Sequence, residues 1–102
     1  MEKEIKALEH LKQLLDSKDY IIKITAVVTV NRANRLYTTT EVASINTESD
    51  IIEIVGVDVS LSLKLDDSYK LTEISTPNYV ELESKEYNIR VDLRAVKKPT
   101  YN

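Results

Sequence analysis

Residues 20–30 read YIIKITAVVTV, and residues 50–60 read DIIEIVGVDVS. When the two stretches are aligned, four apolar positions are identical, and Ala26 of the first lies opposite Gly56 of the second. Both stretches are rich in valine and isoleucine, which favour β-strands. A similarity at a fixed spacing within one chain indicates a duplicated supersecondary unit, and only two copies fit in this chain.

The similarity continues after a two-residue shift in the spacing. LYTTTEVASIN, residues 36–46, then aligns with SYKLTEISTPN, residues 68–78. The identical side chains with polar groups include Tyr37 with Tyr69 and Glu41 with Glu73. We therefore predict two similar strand-hairpin units, at residues 20–46 and 51–78. The alternative is a chance agreement, because strands of similar composition match one another easily.

One amphipathic helix is predicted ahead of these strands, at about residues 2–16. Its apolar side chains recur at helical spacing on one face, and they are Ile5, Leu8, Leu11 and Leu15. A helix of about 15 residues is marginal by itself in water, so this face must pack against another element. We expect that element to be the sheet.

Six strands are predicted after residue 19, at about 20–31, 35–46, 51–65, 69–75, 79–83 and 87–96. Short corners separate them, and short corners favour antiparallel neighbours because parallel pairs need long crossovers. The predicted fold is therefore α+β, with an N-terminal amphipathic helix packed on an antiparallel sheet built from the two duplicated hairpin units. A chain of 102 residues is expected to form one domain, 1–102, with a C-terminal hairpin at 79–96 and a tail at 97–102.

The third predicted strand changes phase beside the single glycine, Gly56. Ile52 and Ile54 are apolar at even positions, whereas the apolar set from Val57 to Leu65 occupies odd positions. A bulge or sharp bend near Gly56 would return both sets to one buried face. The alternative is a strand that is buried on both faces.

The composition excludes several classes of site. The chain has no cysteine and one histidine, so we expect no disulfide and no zinc site of the usual ligands. One glycine is too few for a phosphate-binding loop of the glycine-rich kind. We therefore expect no cofactor and no metal. No apolar run approaches the ~20 residues of a membrane span, so we expect no membrane contact and an intracellular protein.

Carboxylates are plentiful but show no catalytic pattern. Glu41 and Glu73 occupy matching positions of the two predicted units, and a shared cleft between the units would bring them together as a catalytic pair. Outward-facing charges on two solvated strands are the simpler interpretation. We therefore expect that the protein is not an enzyme. An enzyme with carboxylate chemistry at these two residues is the least favoured of three hypotheses about the function.

A second hypothesis is that the protein binds nucleic acid through its basic residues. The net charge is −3, from 17 acidic and 14 basic residues, and phosphate neutralisation usually requires an excess of positive charge. A local basic face with interleaved tyrosines would nevertheless bind single strands. The residues available for it are Arg32, Arg35, Arg90, Arg94, Lys97 and Lys98, with Tyr37, Tyr87 and Tyr101.

From MEKEIKALEHLKQLLDSKDY at residues 1–20 to VDLRAVKKPTYN at residues 91–102, the chain resembles the small proteins of an Acidianus filamentous virus, a virus of hyperthermophilic archaea. The resemblance covers the full length but carries no motif from which site residues could be transferred. It implies a host-cell cytoplasmic setting and high thermal stability. Nothing in it implies an enzyme.

The function expected from these observations is a non-enzymatic protein–protein interaction module. An extended peptide would bind in a groove or at a strand edge between the two units, through backbone hydrogen bonds that leave no sequence motif. A second copy of the chain is an alternative partner, and the tail at 97–102 is expected to guard a free edge. The candidate interaction residues are Tyr37, Glu41, Tyr69, Glu73, Arg90 and Arg94.

Overall fold

The computed structural model describes residues 2–48, 50–58, 60–76 and 78–99, and for residues 73–76 it describes the backbone alone. The described residues form one helix and seven strands. The helix is α1 (Glu2–Ser17). The strands are β1 (Tyr20–Thr29), β2 (Arg35–Asn46), β3 (Ile52–Gly56), β4 (Ser62–Leu65), β5 (Lys70–Thr76), β6 (Tyr79–Ser84) and β7 (Ile89–Lys97).

All seven strands belong to one sheet in the order β4-β3-β2-β1-β7-β6-β5, and every neighbouring pair is antiparallel. The central strand β1 pairs with β2 on one side and with β7 on the other. The α+β class, with an N-terminal helix packed on an antiparallel sheet, is confirmed. The β6–β7 hairpin lies where the sequence predicted the C-terminal hairpin.

The sheet is curled, and the connection between its two edge strands shows why. β4 and β5 are consecutive in the chain but lie at opposite edges. In a flat sheet with strands about 4.8 Å apart, the two edges would be about 29 Å from each other. The chain from Leu65 to Lys70 can span at most about 18 Å. The two edges must therefore curl toward each other, and the turn at 66–69 joins them.

The inner face of this curled sheet packs on α1 and forms the core. Leu8 and Leu11 of the helix are fully buried against it, while Ile5 and Leu15 are partly buried. Along β1, β6 and β7 the inner face carries the alternating apolar residues, which are Ile22, Ile24, Ala26, Val80, Leu82, Val91, Leu93 and Ala95. The predicted helix face is confirmed. The opposite side of the sheet is called the outer face below.

The duplication is not confirmed. The segment 20–46 forms the β1–β2 hairpin, whereas the segment 51–78 contains the β3–β4 hairpin and then β5 at the far edge of the sheet. The strand order of the two segments therefore differs. Similar runs of β-branched residues specify similar strands, but pairing partners are chosen by the long-range packing of the whole sheet.

The single strand predicted at 51–65 is wrong, although the predicted bend at Gly56 is confirmed. The chain reverses after Gly56, whose N–H donates a 2.8 Å hydrogen bond to the Leu61 carbonyl. A bulge in β2 between Val42 and Ser44 lies opposite the same point. The reversal returns Leu61 to the core and leaves Val57 61% exposed. Two short strands therefore replace one long strand, which explains the change of phase.

Candidate peptide-binding edge

The two edge strands run in the same direction, because β4 and β5 are six places apart in a sheet whose neighbours are all antiparallel. They therefore cannot form a hairpin with each other across the turn at 66–69. Among the described residues, β4 pairs only with β3, and β5 pairs only with β6. The curled sheet thus keeps two edges. An unpaired edge offers rows of N–H and C=O groups to another strand.

The backbone of β4 presents half of its polar groups to solvent. The hydrogen bond from Gly56 to Leu61 marks this pair as one whose backbone groups face each other. In an antiparallel ladder such pairs alternate with pairs whose groups face outward. Leu63 and Leu65 therefore bond to β3, whereas the N–H and C=O groups of Ser62 and Lys64 point away from it. These groups of Ser62 and Lys64 are named the β4 edge.

The opposite edge, on β5, is partly blocked by the helix. The N–H of Leu71 donates to Oε2 of Glu4 at 3.3 Å, and Glu4 is buried. Burial by itself would raise the pKa of Glu4, but the hydrogen bonds from backbone groups, Leu71 first among them, outweigh burial and lower it. A charged side chain that caps an edge donor is a known protection against strand addition. The β4 edge is therefore the less obstructed of the two.

A hydrogen-bonded cluster holds the turn between the two edge strands in place. Asp66 accepts hydrogen bonds from the Ser68 backbone at 2.9 Å and from the Tyr87 hydroxyl at 2.6 Å. The Oγ atoms of Ser68 and the buried Ser84 lie 2.8 Å apart. The bonds from Ser68 and then Tyr87 lower the pKa of Asp66, and the bond to Asp66 raises the pKa of Tyr87 to about 12. The cluster joins the β4–β5 turn to the β6–β7 turn.

A shallow depression lies beside the β4 edge on the outer face. Its volume is about 190 Å³, and Asn46, Ile51, Glu53 and Lys64 line it. On the inner side of the same edge, Leu63 is only partly buried. A strand added to β4 would therefore meet polar and charged side chains outside and an incompletely covered leucine inside.

Four of the six predicted interaction residues lie on the outer face, on strands other than β4. Val27 of β1 pairs with Tyr37 on one side and with Arg90 on the other. Four residues earlier on the same face of β1, Lys23 pairs with Glu41 and Arg94. They occupy β2 and β7 on either side of β1. The two repeat units that would form the expected groove are not confirmed, so a binding site at these residues stays a prediction.

Tyr69 is a further correction, because its side chain is 3% exposed and belongs to the core. Its ring lies 6.3 Å from that of Tyr87, and burial, followed by the nearby Asp66, raises its pKa. Glu73 pairs with Glu81 through the backbone of β5, and its side chain lies outside the described residues. Three strands separate the backbone of Glu73 from that of Glu41 in the sheet, and carboxylate chemistry at this pair stays a prediction.

A different carboxylate pair lies on the outer face, where Glu81 and Asp92 are cross-strand neighbours. Burial and then the charge of Glu81 raise the pKa of Asp92, although Arg90, Tyr79 and Arg94 oppose this. Arg90 Nε lies 3.7 Å from Glu81, and the Arg94 guanidinium lies 5.3 Å from the centre of the Tyr79 ring. Sequence reasoning missed the pair because only the register of β6 with β7 brings its members together. In the described part of the chain no acidic or histidine cluster could hold a metal ion.

The start of the predicted tail does not guard either edge. Lys97 pairs with Tyr20, and the Lys98 N–H donates to the Asp19 carbonyl at 2.8 Å. These contacts hold residues 97–98 at the start of the central strand. Residues 100–102, including Tyr101, lie outside the described residues.

No protein-family model matches the chain. No curated protein and no solved structure matches it either. Within the described residues, α1 is too short and too polar to cross a membrane.

Proposed function

We propose that this protein is a non-enzymatic interaction module that binds an extended peptide by strand addition at the β4 edge. The observation that carries the proposal is the backbone of Ser62 and Lys64, which points away from β3 and has no strand partner among the described residues. It contrasts with the β5 edge, where the N–H of Leu71 already donates a hydrogen bond to Glu4. Main-chain pairing is a recurrent mode of peptide recognition, and alternate side chains of the peptide then supply the specificity.

The surroundings of the β4 edge define the chemistry of the peptide. Residues of an added strand alternate between the two faces of the sheet, as the residues of β4 do. An inward side chain would pack beside Leu63 and complete its burial, so this position should be aliphatic. An outward side chain would enter the depression that Glu53 and Lys64 line, so this position should be polar or charged. The partner is thus an extended segment with alternating apolar and polar residues.

The strength of such binding is limited by the length of β4, which has four residues. Two of them face outward, so at most four backbone hydrogen bonds form, each contributing about 0.5–1.5 kcal/mol. We therefore expect weak and rapidly reversible binding. Since backbone groups dominate, the affinity should depend little on salt, unlike that of a nucleic-acid complex. The resemblance to viral proteins supports the cytoplasm of the host cell as the setting for this peptide binding.

The proposal is tested with fluorescently labelled peptide pools and with the Lys64→Pro variant. Proline removes the outward N–H of residue 64 but no hydrogen bond to β3, and edge strands tolerate it. Lys64→Ala is the matched control, because it removes the side chain and keeps the backbone donor. We expect Lys64→Pro to weaken peptide binding about tenfold and Lys64→Ala to change it much less. Thermal melts of both variants check that they fold.

Three outcomes would contradict the proposal. The first is equal binding by the proline and alanine variants, when both are folded. The second is binding to single- or double-stranded DNA that falls steeply with salt, with no peptide binding, which would favour the nucleic-acid hypothesis. The third is self-association that Lys64→Pro abolishes and that no peptide competes with, measured by sedimentation. That result would assign the β4 edge to a second copy of the chain.

A further inference from the structure

A second site lies on the outer face, at the end of the sheet where β1 and β2 meet the β6–β7 turn. It is a cleft of about 430 Å³ and is named the basic cleft. The positively charged side chains that line it are Arg35 of β2, Arg90 of β7 and Lys85 of the turn. One acidic side chain, Glu83, is also present. The protein as a whole carries a net charge of −3, so this local excess of positive charge is unusual for the chain.

Two apolar residues, Val27 and Ile89, are among those that line the basic cleft. Val27 points to the outer face, because its neighbours Ala26 and Val28 on β1 alternate with it, yet its side chain is only 6% exposed. It lies between its two cross-strand partners, Tyr37 and Arg90. Tyr37 itself is 64% exposed. A cleft with cations around it and an exposed aromatic ring on the strand next to Val27 is a suitable site for a ligand that has both a ring and an anionic group.

The backbone holds the basic cleft in a defined shape. The β6–β7 turn is tied to β1 by a 2.9 Å hydrogen bond from the Thr29 N–H to the Asn88 carbonyl. Asn88 has a positive φ of 56°, which asparagine adopts more readily than most residues. The guanidinium of Arg90 is oriented by Glu81, 3.7 Å from its Nε. Within the described part of the chain, neither Arg35 nor Lys85 has an ion-pair partner. Two cations are therefore available to an anion.

The charges around the basic cleft favour a small anion over a nucleic-acid strand. Glu83 lies at the cleft, and Glu81 and Asp92 follow it on the outer face. Burial, followed by the like charge of Glu81, already raises the pKa of Asp92. A phosphate chain that crossed this face would meet these carboxylates. A single phosphate group held at the end of the sheet would meet only Glu83, beside three cations.

We propose that the basic cleft binds the terminal phosphate of a small phosphorylated ligand of the mononucleotide class. Arg35 and Arg90 donate paired N–H groups to the phosphate oxygens, and Lys85 adds a third positive charge. The base of the nucleotide lies over Val27 and stacks on the ring of Tyr37. This site is separate from the β4 edge and does not depend on peptide binding.

The test is an NMR titration of the ¹⁵N-labelled full chain with adenosine monophosphate. We expect saturable shifts of the amides that line the basic cleft, among them Thr29 and Asn88. Parallel titrations use adenosine, ribose 5-phosphate and a short oligothymidine without terminal phosphates. Ribose 5-phosphate should bind more weakly than the nucleotide at the same amides, and adenosine and the oligonucleotide should not bind measurably.

Single substitutions test what each residue of the site contributes to nucleotide binding. Arg35→Gln and Arg90→Gln should each weaken nucleotide binding about tenfold, since each removes a charge-assisted contact. Arg94→Gln is the matched control, because Arg94 is also an outward arginine of β7 but lies over Tyr79 outside the cleft. Tyr37→Ala should weaken binding of the nucleotide but not of ribose 5-phosphate. The spectra of the free variants show directly whether they fold.

Several results would overturn the proposal. Absence of saturable shifts with the nucleotide would do so, as would equal affinity for adenosine. Equal weakening by Arg94→Gln and Arg90→Gln would show a general charge effect and no specific site. Tighter binding of the oligonucleotide than of the nucleotide would assign the cations to a nucleic-acid strand.

Discussion

Gly56 lies in a tight place where an added Cβ atom would force a neighbour to move, and replacement by alanine tests the geometry of the reversal after β3. A Cβ atom on Gly56 would lie 2.7 Å from Cγ2 of Thr40 and 3.3 Å from both Cβ and the carbonyl oxygen of Leu61. Carbon atoms in optimal contact are about 3.5–4.0 Å apart. The backbone cannot easily move away, because the same Leu61 carbonyl accepts the Gly56 N–H at 2.8 Å.

The expected loss of stability follows from two opposing effects. Overpacking of a tight site costs about 1–3 kcal/mol. Because the φ of Gly56 is not positive, alanine is not strained there by its backbone, and it gains about 0.4–1 kcal/mol by restricting the unfolded chain. We therefore expect Gly56→Ala to lower the free energy of unfolding by about 1–2 kcal/mol.

The assay is equilibrium unfolding in guanidinium chloride, followed by circular dichroism, for a double-mutant cycle. Thr40→Ser removes Cγ2, the closest atom, and keeps the hydroxyl that lies 3.4 Å from Asp58. In the Thr40→Ser background the alanine should cost less, by about 1 kcal/mol. Equal losses in both backgrounds, or no loss in either, would refute the close approach of β3 to Thr40.

Three further predictions concern the helix and the titrating carboxylates. Leu11→Ala should lower the free energy of unfolding by about 2–5 kcal/mol, because Leu11 is fully buried, and the control Gln13→Ala on the exposed side should change it little. Coincident unfolding curves for the parent and Leu11→Ala would contradict the packing of α1. The pKa of Asp66 is lowered, so its stabilising effect is present above pH 3.8 and is lost as the pH falls below it; Asp66→Asn should therefore reduce stability at pH 7 and flatten the acid limb of stability against pH. The pKa of Asp92 is raised, so its ionisation destabilises the fold as the pH rises above 3.8; Asp92→Asn should increase stability at pH 7, and unfolding at pH 3 should show the gain disappear.

The local elements were predictable because their signals are periodic and short in range. The helical spacing from Ile5 to Leu15 predicted α1 to within one residue at its C-terminal end. The alternation of apolar and polar residues along β1 and β7 matches the face that packs in the core. The change of phase at Gly56 predicted an irregularity at the right residue, although a complete reversal was not foreseen.

The candidate sites were predictable only in part. Arg35, Arg90 and Tyr37 were recognised as ligand-binding residue types, but their meeting around Val27 depends on the register of three strands. Lys85 was not selected, because a lysine in a turn carries no signal of its own. Tyr69 was predicted to be an interaction residue, but its side chain is buried. The curl of the sheet, which brings the turn at 66–69 against the β6–β7 turn, is the reason.

The amino-acid sequence alone determined the helix, most of the strands and the α+β class, since hydrophobic periodicity is a property of neighbouring residues. The strand order, the separation of β4 from β5 and the choice of which edge Glu4 caps were decided only in the tertiary structure. These features arise from contacts between residues far apart in the chain, and many pairings of similar strands are compatible with the same local pattern. The β4 edge and the basic cleft are both products of that pairing, so neither leaves a motif in the sequence.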